Sequence, residues 1–324
     1  MAFFFLMCSE RSGSNLISKL MNGHENICGP STKHIINPVA RNLFRYGDLS
    51  DTENWKTLLS DIERLLSVEF SFWKRNFSFE DLENISPVGD IKSLIQNIFL
   101  EEARANGKQH LFVKENHVYE FLPFLMTNFP EAKFVYQVRD PRDMALSWKK
   151  NSDHPGGAVQ AAHQWKKDQQ QSLKNHHLLA TMGKSHFVRY EDLTSNSEHE
   201  VKRILDFLGV PFDQKIFEFH KDEITRKNAR MQKAWGNLEQ GVISNNSQKY
   251  KSELASDEIL AIESICRFEM KHLGYELENS FSALESVSKE WLEELQEREL
   301  REVILDRSDG VKENMAAKTV FYQR

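Results

Sequence analysis

Cysteine is scarce in this chain of 324 residues, and long apolar runs are missing from it. The three cysteines, Cys8, Cys28 and Cys266, are too few for a disulfide framework, and no spacing with histidine indicates a metal site. Such sparse thiols are typical of a reducing compartment, so we expect a cytoplasmic protein. No apolar stretch reaches the roughly twenty residues of a membrane span. No signal peptide is expected either, because no basic segment precedes the first apolar run.

An excess of positive charge is also lacking. The formal net charge is −6, which argues against a surface for nucleic acid. The hydrophobic content of 40% is enough for a large buried core in a chain of this length. Neither internal repeats nor low-complexity tracts appear. These observations together predict a soluble, globular α/β protein.

Two common glycine-rich phosphate motifs are absent from the N-terminal segment, although its pattern is strand, turn and helix. An apolar run over 3–7 precedes a small polar turn over 8–15, and apolar residues then recur at helical spacing. A Walker loop needs an earlier glycine and a lysine after Gly13, where Ser14 stands. No GxGxxG triplet follows the run, which argues against a dinucleotide fold. The turn must therefore belong to another class of phosphate loop.

A strand-to-helix turn of this kind still suits a phosphate group. It directs several backbone N–H groups and the positive end of a helix dipole at one point. Arg11 adds a permanent cation with a planar fork of donors. The predicted phosphate-binding residues are consecutive: Arg11, Ser12, Gly13, Ser14 and Asn15.

A second strand-to-helix turn follows the apolar run over 133–138. Asp140 can cap the helix, and Pro141 suits its first position. Arg139 stands at the strand tip, and Ser147 lies two turns into the helix. Because the helix folds back beside the strand, the two side chains can converge on one anion, which an arginine binds with strong, directional bonds.

The two motifs, in this order and each on a strand, turn and helix, resemble those of sulfotransferases that use 3′-phosphoadenosine-5′-phosphosulfate (PAPS), of the soluble bacterial type. The resemblance implies that residues 11–15 hold the 5′-phosphosulfate and that Arg139 and Ser147 hold the 3′-phosphate. Residues 246–251 are similar to the third cofactor segment of the family, which implies binding by Ser247 and Lys249. In this segment the usual glycine is missing, and Lys249-Tyr250 replace an arginine and a tryptophan.

The resemblance also implies a P-loop-like, three-layer α/β/α fold around a parallel sheet of four or five strands. We expect a sulfotransferase domain over residues 1–280. Within it, residues 37–109 are helical and rich in aromatics, and we interpret them as an insertion that frames the acceptor. Residues 281–324 form a C-terminal helical extension, with a charged helix over about 285–306 and a tail that has too little apolar pattern to place.

Arg142 and Asp143, at the start of the second helix, are expected to form an exposed pair, since such pairs are common and weak.

The expected chemistry is in-line transfer of a sulfuryl group, with Arg11 stabilising the charge that develops on the leaving phosphate. A general base must take the proton of the acceptor. We rank His117 first, at the end of a predicted central strand, then His34, just past the first helix, and then Glu115. Lys114 is expected to assist the sulfuryl group in transit.

The implied partners are PAPS, which leaves as 3′,5′-adenosine bisphosphate, and a hydroxyl or amine of a small-molecule or carbohydrate acceptor. No metal is expected, because the donor has no pair of β- and γ-phosphates to bridge. The sequence leaves a homodimer open. The sequence leaves two other functions open: that of an ATP-dependent P-loop-like phosphotransferase, and that of a non-catalytic nucleotide-binding protein.

Overall fold

Five parallel strands form one sheet with the N-terminal strand at its centre, in the order β2-β3-β1-β4-β5. The structure, a computed structural model, describes residues 1–231, 233–244, 246–302 and 305–324. The predicted parallel sheet is thereby confirmed, and its helices are found on both faces. The strands are β1 (Phe3–Cys8), β2 (Ile27–Cys28), β3 (His110–Lys114), β4 (Lys133–Val138) and β5 (Ser185–Arg189).

Helices make up most of the rest of the described chain. Short 3₁₀ turns lie at Leu43–Tyr46, Val118–Glu120, Gln214–Lys221 and Lys233–Glu239. The helices, numbered along the chain, are α1 (Ser14–Gly23), α2 (Ile36–Asn42), α3 (Thr52–Ser67), α4 (Phe79–Ile85), α5 (Ile91–Ala105), α6 (Leu122–Asn128), α7 (Pro141–Lys149), α8 (Ala158–Thr181), α9 (Tyr190–Ser195), α10 (Ser197–Leu208), α11 (Glu223–Met231), α12 (Tyr250–Glu253), α13 (Ser256–His272), α14 (Phe281–Glu285), α15 (Lys289–Glu302) and α16 (Asp309–Gln323).

The alternation of side chains along β1 divides the core into two layers. Phe4 and Leu6 point to the cluster beneath α1, α9, α10 and α11. Phe5 and Met7 point to the larger cluster, which includes residues of α2 to α8 and of α13. A parallel strand buried on both faces reads as a continuous apolar run, which is why the N-terminal segment has no polar alternation. The result is the three-layer α/β/α arrangement.

The register of the sheet gathers the loops that carry the predicted site. In β1, Cys8 lies opposite Gln137 of β4, and Leu6 lies opposite Lys114 of β3. All three strands therefore end at the same edge of the sheet. In open α/β sheets, ligands bind at the carboxyl ends of the strands.

The aromatic region over 37–109 contributes mainly to the core. Trp55, Trp73 and Phe99 are each at most 3% exposed and belong to the larger cluster. Their burial agrees with ordinary packing of aromatic side chains. Phe70 is only partly buried and faces the cavity described below.

The C-terminal tail, which the sequence analysis does not place, forms α16 and packs on α2 and α3. Phe321 is fully buried, and its ring lies 6.2 Å from that of Tyr46. Arg324 donates to both oxygens of Asp61 at 2.7 and 2.6 Å. The charged helix predicted over about 285–306 is α15, and residues 303 and 304 of that prediction lie outside the described residues. No helix in the described part of the chain is long and apolar enough to cross a membrane.

Phe321→Ala tests whether α16 is integral to the fold. Removal of a fully buried phenylalanine costs about 3 to 5 kcal/mol, because a cavity remains where the ring packed. We expect a loss of this size in the free energy of unfolding, measured by urea titration. Tyr322→Ala is the matched control, since Tyr322 is 45% exposed, and it should cost much less. Equal effects of the two changes would show that α16 is not packed as described.

Candidate functional site

The backbone of the loop between β1 and α1 lies in the left-handed region at two residues. Arg11 has a φ of 62° and Gly13 a φ of 84°, so two left-handed residues flank Ser12. Left-handed residues in a turn are one feature of the backbone concavities that bind anions. A Cβ on Gly13 would lie 2.3 Å from the ring of Tyr190, so only glycine fits here. The predicted loop is thus shaped by its backbone as well as by its side chains.

The serines of this loop differ in their surroundings. The Ser12 hydroxyl is buried and donates to the Ser9 carbonyl at 2.6 Å. The backbone carbonyl of Ser12 accepts from the Gln137 side chain at 2.7 Å. Ser12 therefore fixes the loop to itself and to β4, and its hydroxyl is not among the groups that line the cavity. Ser14 and Asn15, in the first turn of α1, do line it.

Three predicted residues, distant in sequence, meet beside the loop. The Nε of Arg11 donates to the hydroxyl of Ser147 at 3.1 Å. One terminal nitrogen of Arg139 donates to the carbonyl of Arg11 at 3.1 Å. The Nε of Arg139 is buried and has no partner in the described part of the chain. A buried donor without an acceptor costs free energy unless a ligand satisfies it.

Tyr190 and Asn246 complete the surroundings of Arg139. Its guanidinium lies over the Tyr190 ring at 4.6 Å, and its other terminal nitrogen donates to the Asn246 carbonyl at 3.1 Å. The Asn246 side chain in turn donates to the Tyr190 hydroxyl at 2.8 Å. The third predicted segment therefore lies against the first two.

The two predicted binding residues of that segment line different cavities. Lys249 lines the main cavity, whereas Ser247 lines a second cavity of about 380 Å³ beside it.

The expectation that Arg142 and Asp143 form an exposed pair is wrong, because both are buried. Arg142 donates to both oxygens of Asp140 and, at 2.6 Å, to Glu263. Asp143 accepts from the backbone N–H groups of Gln248 and Tyr250 at 2.5 and 3.1 Å. Its carboxylate thereby holds the third segment in place. Asp140 caps α7 as predicted, accepting from the Arg142 N–H at 2.9 Å.

The main cavity has a volume of about 760 Å³ and contains the side chains of these loops. Its walls also include Phe70, Trp235 and Leu238, so the lining has both polar and apolar side chains. The C-terminal helix contributes a wall that the sequence analysis missed. The lining residues of this helix are Val311, Asn314, Met315 and Lys318.

His34 lies on the cavity wall, with Glu115 behind it. Its Nδ1 is 4.0 Å from a Glu115 oxygen, and the other Glu115 oxygen accepts from the Ile35 N–H at 3.0 Å. Burial lowers the pKa of His34 well below its usual range, with further lowering by the charges of Lys318 and Lys114. The ring is therefore neutral at physiological pH. Burial raises the pKa of Glu115 to about 7.

His117 is held from behind by Tyr119 and Asp168. The Tyr119 hydroxyl donates to the Asp168 carboxylate, so it accepts from the Nδ1 of His117 at 2.6 Å. This leaves the Nε2 of His117 unprotonated, at 3.9 Å from a Glu10 oxygen. Burial lowers the pKa of His117. His117 does not contribute to the lining of the main cavity.

Glu10 and His154 are two lining residues that the sequence analysis did not single out as site residues. The second Glu10 oxygen lies 3.4 Å from the Nε2 of His154, whose ring stacks on Trp148 at 4.0 Å. Glu10 also accepts from the Asn116 side chain. Adjacency to Arg11 is the one sequence signal that points to Glu10, and the signal for His154 is its place in a polar loop with Gly156 and Gly157.

A model of the sulfotransferase family matches residues 4–214. Carbohydrate sulfotransferase 1 of Rattus norvegicus is 27% identical over 115 residues, which are 35% of this chain and 27% of that protein. An uncharacterised protein of Aquifex aeolicus is 20% identical over 260 residues, 76% of this chain and 30% of that one. The chain thus aligns with little more than a quarter of the length of the curated relatives that it matches.

Two solved structures share the fold. The sulfotransferase domain from the curacin biosynthetic pathway is 18% identical, with a TM-score of 0.52, covering 85% of this chain and 98% of that one. The sulfotransferase domain of the Synechococcus PCC 7002 olefin synthase is 20% identical, with a TM-score of 0.52, covering 82% and 94%.

Glu115→Gln tests the buried carboxyl behind His34. The folded-state pKa of about 7 exceeds the unfolded value of about 4.3, so the folded chain binds this proton more tightly. The stabilisation is present below about pH 4 and is lost as the pH rises through 7. We therefore expect the unfolding free energy of the wild type minus that of the variant to fall by about 3 kcal/mol between about pH 4 and pH 8.

The measurement is urea unfolding of both proteins across that range. Glu80→Gln, an exposed carboxylate in α4, is the control and should show no such trend. A difference that stays constant with pH would contradict the raised pKa of Glu115.

Proposed function

The chain belongs to the sulfotransferase family, and we propose that it transfers a sulfuryl group from PAPS to a hydroxyl or amine of a small-molecule or carbohydrate acceptor. Sulfuryl transfer as the reaction class follows from membership of the family. The family model covers most of the described sheet, from β1 to the residues after α10. The donor, the acceptor and the roles of individual residues are our inference from the site.

The convergence of Arg11, Ser147 and Arg139 is the observation that carries the proposal. These groups come from two strand-to-helix turns, and hydrogen bonds of 3.1 Å join them. Two phosphate-binding turns side by side suit a nucleotide with phosphates on both sides of its ribose. We assign the 5′-phosphosulfate to the β1 loop and Arg11, and the 3′-phosphate to Arg139 and Ser147.

The charges around Arg11 fit such a donor. Burial and the like charge of Arg139 both lower the pKa of Arg11, so the two guanidinium groups repel each other in the free protein. An anion bound between them relieves this repulsion. The unpartnered Nε of Arg139 supplies a further donor for the same anion.

In the proposed reaction the acceptor oxygen forms a bond to sulfur as the bond from sulfur to the bridging phosphate oxygen breaks. Negative charge develops on that bridging oxygen, and the Arg11 guanidinium with the loop N–H groups stabilises it. The acceptor proton passes to a protein base, and 3′,5′-adenosine bisphosphate leaves. Because arginine and backbone dipoles supply the positive charge, the proposal requires no metal.

We favour His34 as the base over His117, which the sequence analysis ranks first. His34 lines the cavity, and its lowered pKa leaves the imidazole free to accept a proton. Glu115, at 4.0 Å, is placed to stabilise the imidazolium that forms. We assign Glu115 a positioning role rather than that of the base. Lys114 lines the cavity too, and its charge acts on the His34 imidazole.

The remaining alternatives are weaker. An ATP-dependent phosphotransferase would need a Walker lysine, and membership of the sulfotransferase family speaks against it. The matched stretch of carbohydrate sulfotransferase 1 supports a carbohydrate among the acceptors. The three cysteines are buried free thiols, which agrees with our proposal of a cytoplasmic enzyme.

Arg139→Ala tests the donor site through binding alone. In the wild type, 3′,5′-adenosine bisphosphate at about a hundred times its dissociation constant should add roughly 2.7 kcal/mol of stability, a shift of several degrees in a thermal scan. AMP, which has no 3′-phosphate, should stabilise less. Arg139→Ala should remove the excess of the bisphosphate over AMP.

The control is Arg64→Ala, an exposed arginine in α3, which should keep that excess. Stabilisation by ATP and Mg²⁺ above that by the bisphosphate, or an unchanged preference in Arg139→Ala, would overturn the assignment of PAPS as donor.

A matched pair of substitutions separates the two candidate bases. His34 and His117 both have left-handed backbones, with φ values of 58° and 59°, which asparagine tolerates well. His34→Asn should lower the turnover of PAPS with a panel of carbohydrate and phenol acceptors by about 10²- to 10⁴-fold. Binding of the bisphosphate should be unchanged. His117→Asn should affect turnover far less, and the opposite order would return His117 to first place.

A further inference from the structure

Two lysines in the main cavity have positive charges that no residue neutralises directly. Lys114 is the last residue of β3, and Lys318 lies on α16. The side chains of both line the main cavity. Both are partly buried. Across the described ranges, the ammonium group of neither lysine forms an ion pair within 4.0 Å or a hydrogen bond. Two like charges that share a cavity without a partner are the arrangement expected of an anion site.

The nearby carboxylates are engaged elsewhere. Glu115 accepts from the Ile35 N–H, and Glu10 accepts from the Asn116 side chain and contacts His154. Lys318 lies in the electrostatic field of both carboxylates and of Lys114, and burial lowers its pKa. The positive charge of the pair is therefore only partly offset.

Lys318 is held in the cavity by contacts on both sides of it along α16. The Asn314 side chain donates to the Lys33 carbonyl at 3.4 Å. Phe321 is fully buried, and Arg324 forms a two-pronged bond with Asp61. The position of the lysine is thus a property of the fold rather than of a free side chain on the surface.

These lysines are distinct from the cations assigned to the donor. The charges that act on Arg11 are those of Arg139, Glu10 and Asp153, whereas those that act on Lys318 are Glu10, Glu115 and Lys114. His34 is influenced by Lys318 and Lys114. Lys114, Lys318 and the proposed base His34 all line the main cavity, where we expect the acceptor to lie.

We propose that Lys318 and Lys114 bind an anionic group of the acceptor, so that the sulfated molecule is one that already carries a negative charge, such as a uronic acid. This inference rests on the proposed function, because it takes the cavity to be that of a sulfotransferase. Phe70, Val311 and Met315 line the same cavity and offer apolar surface to the rest of the molecule. Lys318 is in this view a specificity-determining residue outside the stretch that the family model matches.

The test compares ligands that differ only in charge. With saturating 3′,5′-adenosine bisphosphate, binding of p-nitrophenyl β-D-glucuronide and of p-nitrophenyl β-D-glucoside is measured by calorimetry. 4-Hydroxybenzoate and 4-hydroxybenzyl alcohol form a second pair. We expect the anionic member of at least one pair to bind about tenfold or more tightly. Lys318→Gln should reduce this ratio to near unity, and Lys318→Arg should restore it.

Lys312→Gln is the matched control, an exposed lysine on the same helix, and it should keep the preference. No preference in either pair, or a preference that survives Lys318→Gln, overturns the proposal. Saturation by the bisphosphate is measured first, in the same calorimeter. If the bisphosphate does not bind, the proposed function itself fails; if it binds and no preference appears, only the anionic acceptor is rejected.

Discussion

Two arginines that repel each other are held side by side at the carboxyl edge of the sheet. Arg139 donates to the carbonyl of Arg11, which presents the two guanidinium groups to the same space. Their arrangement depends on the pairing of β1 with β4, which brings the two loops together, and on Tyr190 beneath Arg139. The core of the sheet thus offsets an electrostatic cost that is present before any ligand binds. In the function that we propose, such preorganised positive charge stabilises the leaving phosphate.

The sequence alone predicted the structure correctly where the local pattern and the chemistry of the residues agree. The apolar run over 133–138 has the bounds of β4, and the spacing of Arg139 and Ser147 is met by the fold-back of α7 on that strand. The sequence did not predict burial that depends on residues far away in the chain. Arg142 and Asp143 have the pattern of an exposed pair, yet Glu263 and the backbone of 248–250 cover them.

The remaining omissions have the same physical origin. The buried side of α16 consists of Asn314, Ala317 and Phe321, too few apolar residues for a helical stripe to be visible. Glu10 and His154 are 144 positions apart and meet only because the loop before α8 returns to the β1 loop. No periodic pattern in the sequence indicates such a contact. The sequence predicted the scaffold and brought Arg11, Arg139 and Ser147 to attention, while the other walls of the cavity arise from tertiary structure.

The left-handed, non-glycine residues near the candidate site have a consequence for protein engineering. Four described non-glycine residues have a positive φ: Arg11, His34, His117 and Gln248. At these positions the backbone rejects β-branched side chains whatever chemistry they bring. A randomised library at the four sites would therefore lose its valine, isoleucine and threonine members. Diversity aimed at new acceptors belongs instead at Phe70, Val311 and Met315, whose side chains face the cavity from segments without that constraint.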